Sequence, residues 1–198
     1  VSLQRAHQDH PFIMIWDDHE IANNAHQTGA QNHQDDEGDY MTRKMTAKKA
    51  YYEWQPIRKQ KGDELYRAFQ FGDLVDLLML DERYIGRNAP PTTPTEVEKE
   101  RTMLGAEQLA WFKNELSNSK AQWKIIGNQV IFSPCDLSKV RPNSPVNFDA
   151  WDGYATERDD IRNFLSESVI SNTIFVTGDT HASWAFNVPA LTSNEPGV

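Results

Sequence analysis

Apolar runs that end in ionisable residues recur along this chain. The first, Phe12-Ile13-Met14-Ile15-Trp16, holds no Pro or Gly and runs straight into Asp17-Asp18-His19-Glu20. A run of that length reads as a strand buried on both faces. Near the other end Ile174-Phe175-Val176 leads through Thr177 and Gly178 into Asp179-Thr180-His181. Side chains just past the C-terminal ends of such strands face the crevice where open α/β sheets bind ligands. The two strand ends are therefore expected to converge on one site.

Between them, Tyr66 to Phe71 alternates with period two, Gly72-Asp73 makes a turn, and Leu74 to Leu80 is mostly apolar. This predicts a hairpin. Its second strand ends in Asp81-Glu82-Arg83, again an acidic tail. Trp123 to Ile126 leads into Gly127-Asn128-Gln129-Val130-Ile131-Phe132, a further buried strand interrupted where a close backbone approach would be useful. Helical spacing appears three times. Ala47, Ala50, Tyr51 and Trp54 mark a core-facing stripe over residues 41–55, stopped by Pro56. Leu109, Phe112 and Leu116 mark a helix over 107–116, and Ile161, Phe164 and Leu165 one over about 156–169. Interleaved strands and helices predict α/β layers in a single domain over residues 1–198.

The polar run that follows Asn24, up to Tyr40, carries His26, His33, Asp35, Asp36, Glu37 and Asp39 and reads as a mobile or ligand-ordered loop. His7 and His10, at i,i+3 spacing before Pro11, read as a solvated face. Gly86 to Thr95, rich in Pro and Thr, is loop. Phe148-Asp149-Ala150-Trp151-Asp152-Gly153-Tyr154 mixes aromatics and carboxylates and suits a pocket wall, with Trp151 and Asp152 as its substrate-facing candidates.

The bulk numbers narrow the partners. The chain has 198 residues, a net charge of −9 and a pI near 5.1, an acidic balance that argues against general nucleic-acid or anionic-membrane binding. A phosphate substrate stays open, because bound cations invert a local field. The one cysteine, Cys135, forms no internal disulfide. No apolar stretch is long enough to span a membrane. The chain starts at Val1 and reaches its first apolar run at Phe12, so it reads as an excerpt of a longer protein, and a missing signal says nothing about location.

Carboxylates, imidazoles and amide oxygens at neighbouring strand ends suit cations that prefer oxygen and nitrogen. Asp18, Asp179 and His181 are the first candidates for metal ligands; Asp179 and His181, one residue apart, project to the same side of an extended segment. His19, beside a ligand, would donate a proton or stabilise charge on a phosphoryl oxygen. A metal pair there would supply a hydroxide for in-line attack on phosphorus. Asn23 and Asn24 read equally as substrate or metal contacts and as turn or cap residues. Arg83 reads either as a fork for a phosphate oxygen or as a salt bridge to Asp81 or a neighbour.

These blocks together resemble the PhoD-like alkaline phosphatases, a branch of the calcineurin-like metallophosphoesterases. The resemblance rests on Ile15 to Glu20 with Asn23-Asn24, on Leu80 to Arg83, on Gly127 to Val130, on Asp149 to Tyr154 with Arg158, and on Gly178 to Trp184. It implies an αββα sandwich and hydrolysis of phosphate mono- or diesters. It places Asp18 at an amide-ligand position, His19 at the catalytic histidine, Asp179 and His181 in the last metal motif, and Asn128 at the ligand ending an intermediate strand. It further implies a dinuclear site of iron with calcium, or other divalent metals, and a periplasmic or extracellular location. An Asp-rich strand end and a Gly-Asp-x-x-Tyr block are expected upstream and are absent. Gly62-Asp63-Glu64-Leu65-Tyr66 matches the second by letters only, because it follows the Asp-Asp-His-Glu block. The fold is then a partial sandwich short of N-terminal strands. A competing reading is a catalytically incomplete piece that serves as a structural or anion-binding module.

Overall fold

The hairpin forms where the period-two pattern places it. β1 (Arg67–Phe71) pairs antiparallel with β2 (Val75–Met79), Arg67 opposite Met79 and Phe71 opposite Val75. The computed structural model describes residues 2–58, 64–97, 100–139, 142–143 and 146–188. Gly62 and Asp63 of the look-alike motif lie outside these.

α3 (Gly105–Asn118) carries the chain from β2 to β3 (Trp123–Asn128), and α4 (Ala155–Glu167) from β3 to β4 (Thr173–Thr177). β3 lies parallel to β2, and β4 parallel to β3, in the order β1-β2-β3-β4. Parallel strands joined by helices put all their C-terminal ends at one edge. That edge gathers Asp81-Glu82-Arg83, Asn128-Gln129 and Gly178-Asp179.

Alternation then sorts the side chains. Leu78, Ile126 and Phe175 lie side by side across the sheet and pack under Phe112 and Leu116 of α3 and Ile161 of α4. Phe132 stacks on Phe175 with ring centroids 4.0 Å apart. The opposite face carries Phe71, Trp123, Ile174 and Val176, all exposed. Among the described residues β4 is therefore an edge strand with one apolar side uncovered, where the sequence suggested burial on both faces.

The run Phe12 to Trp16 also departs from expectation. It forms no strand and pairs with none among the described residues, and Phe12 and Ile13 are exposed while Trp16 is buried. Side chains replace the missing ladder: Arg67 donates to the Met14 carbonyl and Gln129 to the Trp16 carbonyl at 3.1 Å. An apolar run reports a tendency to be buried, not the partner that buries it.

α1 (Ser2–Asp9) is an exposed helix before Pro11, with His7 packed edge-on against Phe12. α2 (Tyr40–Trp54) begins at Asp39, whose carboxylate accepts from the Thr42 backbone N–H. Such a cap contributes about 1 kcal/mol. Tyr40 and Tyr51 of α2 pack with Trp16, Ile21, Ala22, Leu65 and Tyr84 in a second cluster. Trp54, expected on the same stripe, is exposed, so the buried face of α2 is narrower than its apolar pattern. The polar run after Asn24 is a series of turns, closed by a Tyr40 hydroxyl donating to the His26 carbonyl.

Candidate metal centre

At the C-terminal edge of the sheet the chain turns twice in quick succession. Backbone N–H groups of Ile21 and Ala22 both donate to the Asp18 carbonyl at 2.9 Å, which bends the chain just after Trp16. The Tyr84 hydroxyl binds the Asp17 carbonyl at 2.6 Å and fixes the bend from beneath. The Asp18 carboxylate is buried and accepts from the His19 and Asn24 backbone N–H groups, both at 2.8 Å. Past β4, Asp179 and His181 both adopt left-handed backbone, at φ 63° and 53°. Asn24 does likewise, at φ 51°. Residues without glycine's freedom are held there at a cost of about 1–3 kcal/mol each, and such strain concentrates at functional sites. The segment is thus coiled, not extended, and the same-side argument for Asp179 and His181 does not apply.

These turns bring Asp17, Asp18 and Asp179 together, each offering a carboxylate oxygen within 4.8 Å of the others. Asp18 and Asp179 are ligand candidates from sequence; Asp17, beside Asp18, is not among them. Alternation in an extended chain would point the two apart, and only the bend lets both face one spot. Burial, partly offset by Arg83 and reinforced by Asp179 and Asp18, pushes Asp17 up to about 6. Burial also pushes Asp179 up. Crowded, partly buried carboxylates of this kind are stabilised by a cation. The donors are all oxygens, which suits hard cations such as calcium or ferric iron.

The cluster opens into a cleft of about 490 Å³. His19, Asn23, Asp152 and His181 line it, as the sequence suggested, together with Cys135, Leu137 and Trp184, which it did not. His19 Nε2 lies 3.0 Å from Asn23 Oδ1, and Asn23 Nδ2 donates to Gln31 Oε1 at 2.6 Å. With Asn23 so oriented, Nε2 carries the hydrogen. Asp152 is tied back by the Cys135 backbone N–H at 3.0 Å and by Arg158.

Three predicted residues sit behind the cleft. Asn128 is buried, with Oδ1 3.2 Å from Trp151 Nε1 and Nδ2 donating to the Val130 carbonyl and to Thr177 Oγ1. Trp151 is fully buried, its indole N–H 2.9 Å from Glu82 Oε1. Arg83 is likewise fully buried and reaches no open surface. Of its two readings, the structure shows the salt bridge, with different partners: Asp17 at 2.6 Å, Asp149 at 2.6 Å and Asp179 at 3.1 Å. Burial alone would lower its pKa, but Asp149, Asp17 and Asp18 more than reverse that. Arg87 binds the other Asp149 oxygen at 2.6 Å and holds that carboxyl below its usual range together with Arg83, against the effect of burial. Arg87 is delivered by a loop in which Gly86 and Gly105 touch: a Cβ on Gly86, at φ 79°, would meet the Leu104 carbonyl oxygen at 2.5 Å. Arg87 carries no local signal, and Asp149 none beyond its place in the mixed aromatic and acidic segment 148–154.

Comparison with known proteins bears on this arrangement. A family profile described as PhoD-like phosphatase matches residues 1–198. The chain belongs to the PhoD-like phosphatase family. It is 34% identical over 200 residues to alkaline phosphatase D of Bacillus subtilis (strain 168), a match covering 94% of this chain and 34% of that protein. A solved structure described as "Structure of PhoD" aligns with a TM-score of 0.76 and 32% identity, covering 87% of this chain and 35% of that one. The chain thus spans about a third of the length of these relatives. The four-stranded sheet with its helices is consistent with part of a metallophosphoesterase-type fold. No helix among the described residues is long and apolar enough to cross a membrane.

Proposed function

We propose that this chain contributes the metal-binding half-site and the proton donor of a phosphate-ester hydrolase, acting on mono- or diesters. The observation that carries this reading is the Asp17, Asp18 and Asp179 cluster at the floor of an open cleft, with His19 at its rim. A bound cation supplies Lewis acidity, polarising a phosphoryl oxygen and making water a competent nucleophile. Asp17, Asp18 and Asp179 would hold it, with His181 in reach of the same cleft. Asn128 is spoken for by Trp151, Thr177 and Val130, so its part would be to support the site from behind. Iron with calcium is the proposed pair, supported by the all-oxygen donor set and the family resemblance.

His19 Nε2 is oriented by Asn23 and is exposed to the cleft. As an imidazolium, His19 can pass its Nε2 proton to the departing ester oxygen and is left as neutral imidazole. Asn23, Asp152 and the exposed Trp184 offer the substrate's polar and apolar contacts. The anion-binding alternative is disfavoured by the charge: an acidic cluster repels phosphate until a cation neutralises it. A periplasmic or extracellular location is proposed on the family resemblance.

The test is elemental mass spectrometry of the purified full-length protein that carries this chain, with turnover of p-nitrophenyl phosphate on the same sample. Metal and turnover are expected together, and both are lost in Asp179→Asn. Turnover that survives chelation, or an Asp179→Asn protein that keeps its metal and its rate, overturns the reading.

A further inference from the structure

We infer that Arg83 is a positioning residue of the cation site: a buried guanidinium that clasps Asp17 and Asp179 and sets where their free oxygens point. The inference rests on the metal-site reading above and goes beyond it, to what holds the ligands apart from the cation itself.

Among the described residues, Asp17 follows a run that no strand ladder holds, and Asp179 follows a strand paired on one side only. Neither backbone alone fixes the distance between the two carboxylates. Arg83 does so through one oxygen of each. Its Nε donates to Asp17 Oδ1 at 2.6 Å and its Nη2 to Asp179 Oδ1 at 3.1 Å. A carboxylate gripped through one oxygen keeps the other available as a ligand. The third arm, Nη1, donates to Asp149 Oδ2 at 2.6 Å, and Asp149 is itself pinned by Arg87 through Oδ1 and through its backbone carbonyl. The guanidinium plane is therefore anchored from the side away from the cleft. Five donors in a rigid fork let one side chain bridge three carboxylates, which a lysine ammonium on a flexible stem cannot reproduce in one plane.

A second role for a cation at this place has the opposite consequence. If Arg83 acted only as a charge, it would compete with the metal, and removing it would tighten metal binding. The two roles separate on a charge-conserving substitution.

The experiment is calorimetric titration of calcium into the wild-type protein, Arg83→Lys and Arg83→Gln, with circular dichroism on the same samples. Positioning predicts that both folded variants bind calcium at least about tenfold more weakly, the usual loss when a ligand's support is removed. An Arg83→Lys protein that is folded and binds like wild type, or an Arg83→Gln protein that binds more tightly, overturns the inference. Should the variants fail to fold, the Arg83 Nε–H resonance of the wild-type protein decides. A slowly exchanging proton that shifts on calcium addition supports the clasp; a freely exchanging one that does not move refutes it. A wild-type protein that takes up no calcium, iron or other divalent cation brings down the metal reading and this inference with it, whereas failure of the clasp alone leaves metal binding intact.

Discussion

Replacing Trp151 by Phe separates a structural indole from a substrate-facing one. Trp151 is fully buried, packs edge-on against Phe132 at 5.2 Å, and donates its N–H to Glu82 Oε1 at 2.9 Å. Glu82 Oε2 accepts from the backbone N–H groups of Gln129 and Val130, so this carboxyl joins β2, β3 and the 148–154 segment. Burial pushes Glu82 up to about 7, against the lowering effect of those hydrogen bonds and of Arg83. The sign follows. Folded Glu82 holds its proton more tightly than the unfolded chain, so its contribution to stability is present below about pH 4.5 and lost as pH rises through about 7. Losing the indole N–H orphans a buried acceptor, at about 1–3 kcal/mol and toward the upper end when it is ionised. The smaller ring leaves a void that adds about 1 kcal/mol. Trp151→Phe is thus expected to lose about 3–4 kcal/mol at pH 8 and about 2 kcal/mol at pH 5. Urea unfolding at both pH values measures it as a drop in midpoint at unchanged slope. A loss below about 0.5 kcal/mol at both pH values, or a raised KM with unaltered stability, would show that the indole faces substrate and that the buried junction is wrongly drawn.

Two further perturbations test other parts of the frame. Burial, with Arg87 adding, lowers His26 to about 4. Its contribution to stability is present above about pH 6.5 and lost as pH falls toward 4, worth about 1–2 kcal/mol after allowing for its partial exposure. Subtracting the pH profile of His26→Gln from that of wild type should isolate this loss, and a flat difference would contradict it. Gly86→Ala forces a left-handed Cβ against the Leu104 carbonyl oxygen at 2.5 Å. It should destabilise by at least about 2 kcal/mol in the same urea assay, and a neutral effect would mean that the Gly86–Gly105 approach is not rigid.

The parts of the structure set by neighbouring residues were legible in the sequence. The hairpin announced itself by period-two alternation around Gly72-Asp73, and α3 by the Leu109, Phe112 and Leu116 stripe. Residues 12–16 misled because an apolar run has no phase: it calls for cover without naming a neighbour, and here side chains of Arg67 and Gln129 supply what a strand would have supplied. The candidate site was half legible. Asp18, His19, Asp179 and His181 stand where apolar runs stop, and all four reach the cleft. Asp17 needed the bend after Trp16, and Asn128, Trp151 and Arg83 needed knowledge of which side of the sheet end faces out. Arg83 could not be read locally at all, since its partners stand 66 positions before it and 66 and 96 positions after it.

Those separations have a consequence for how the protein is made. Contacts between distant positions close large loops, and they form late because the chain must first surrender the entropy of everything between. The Arg83 crossing therefore completes only after both strand ends and the 148–154 segment have arrived. A cation that binds the finished cluster and not the unfolded chain draws the folding equilibrium toward completion. On the proposed reading, metal capture would double as a report of successful assembly, and a break anywhere between Asp17 and Asp179 that lets one end drift would release the ion before any helix or strand had to unravel.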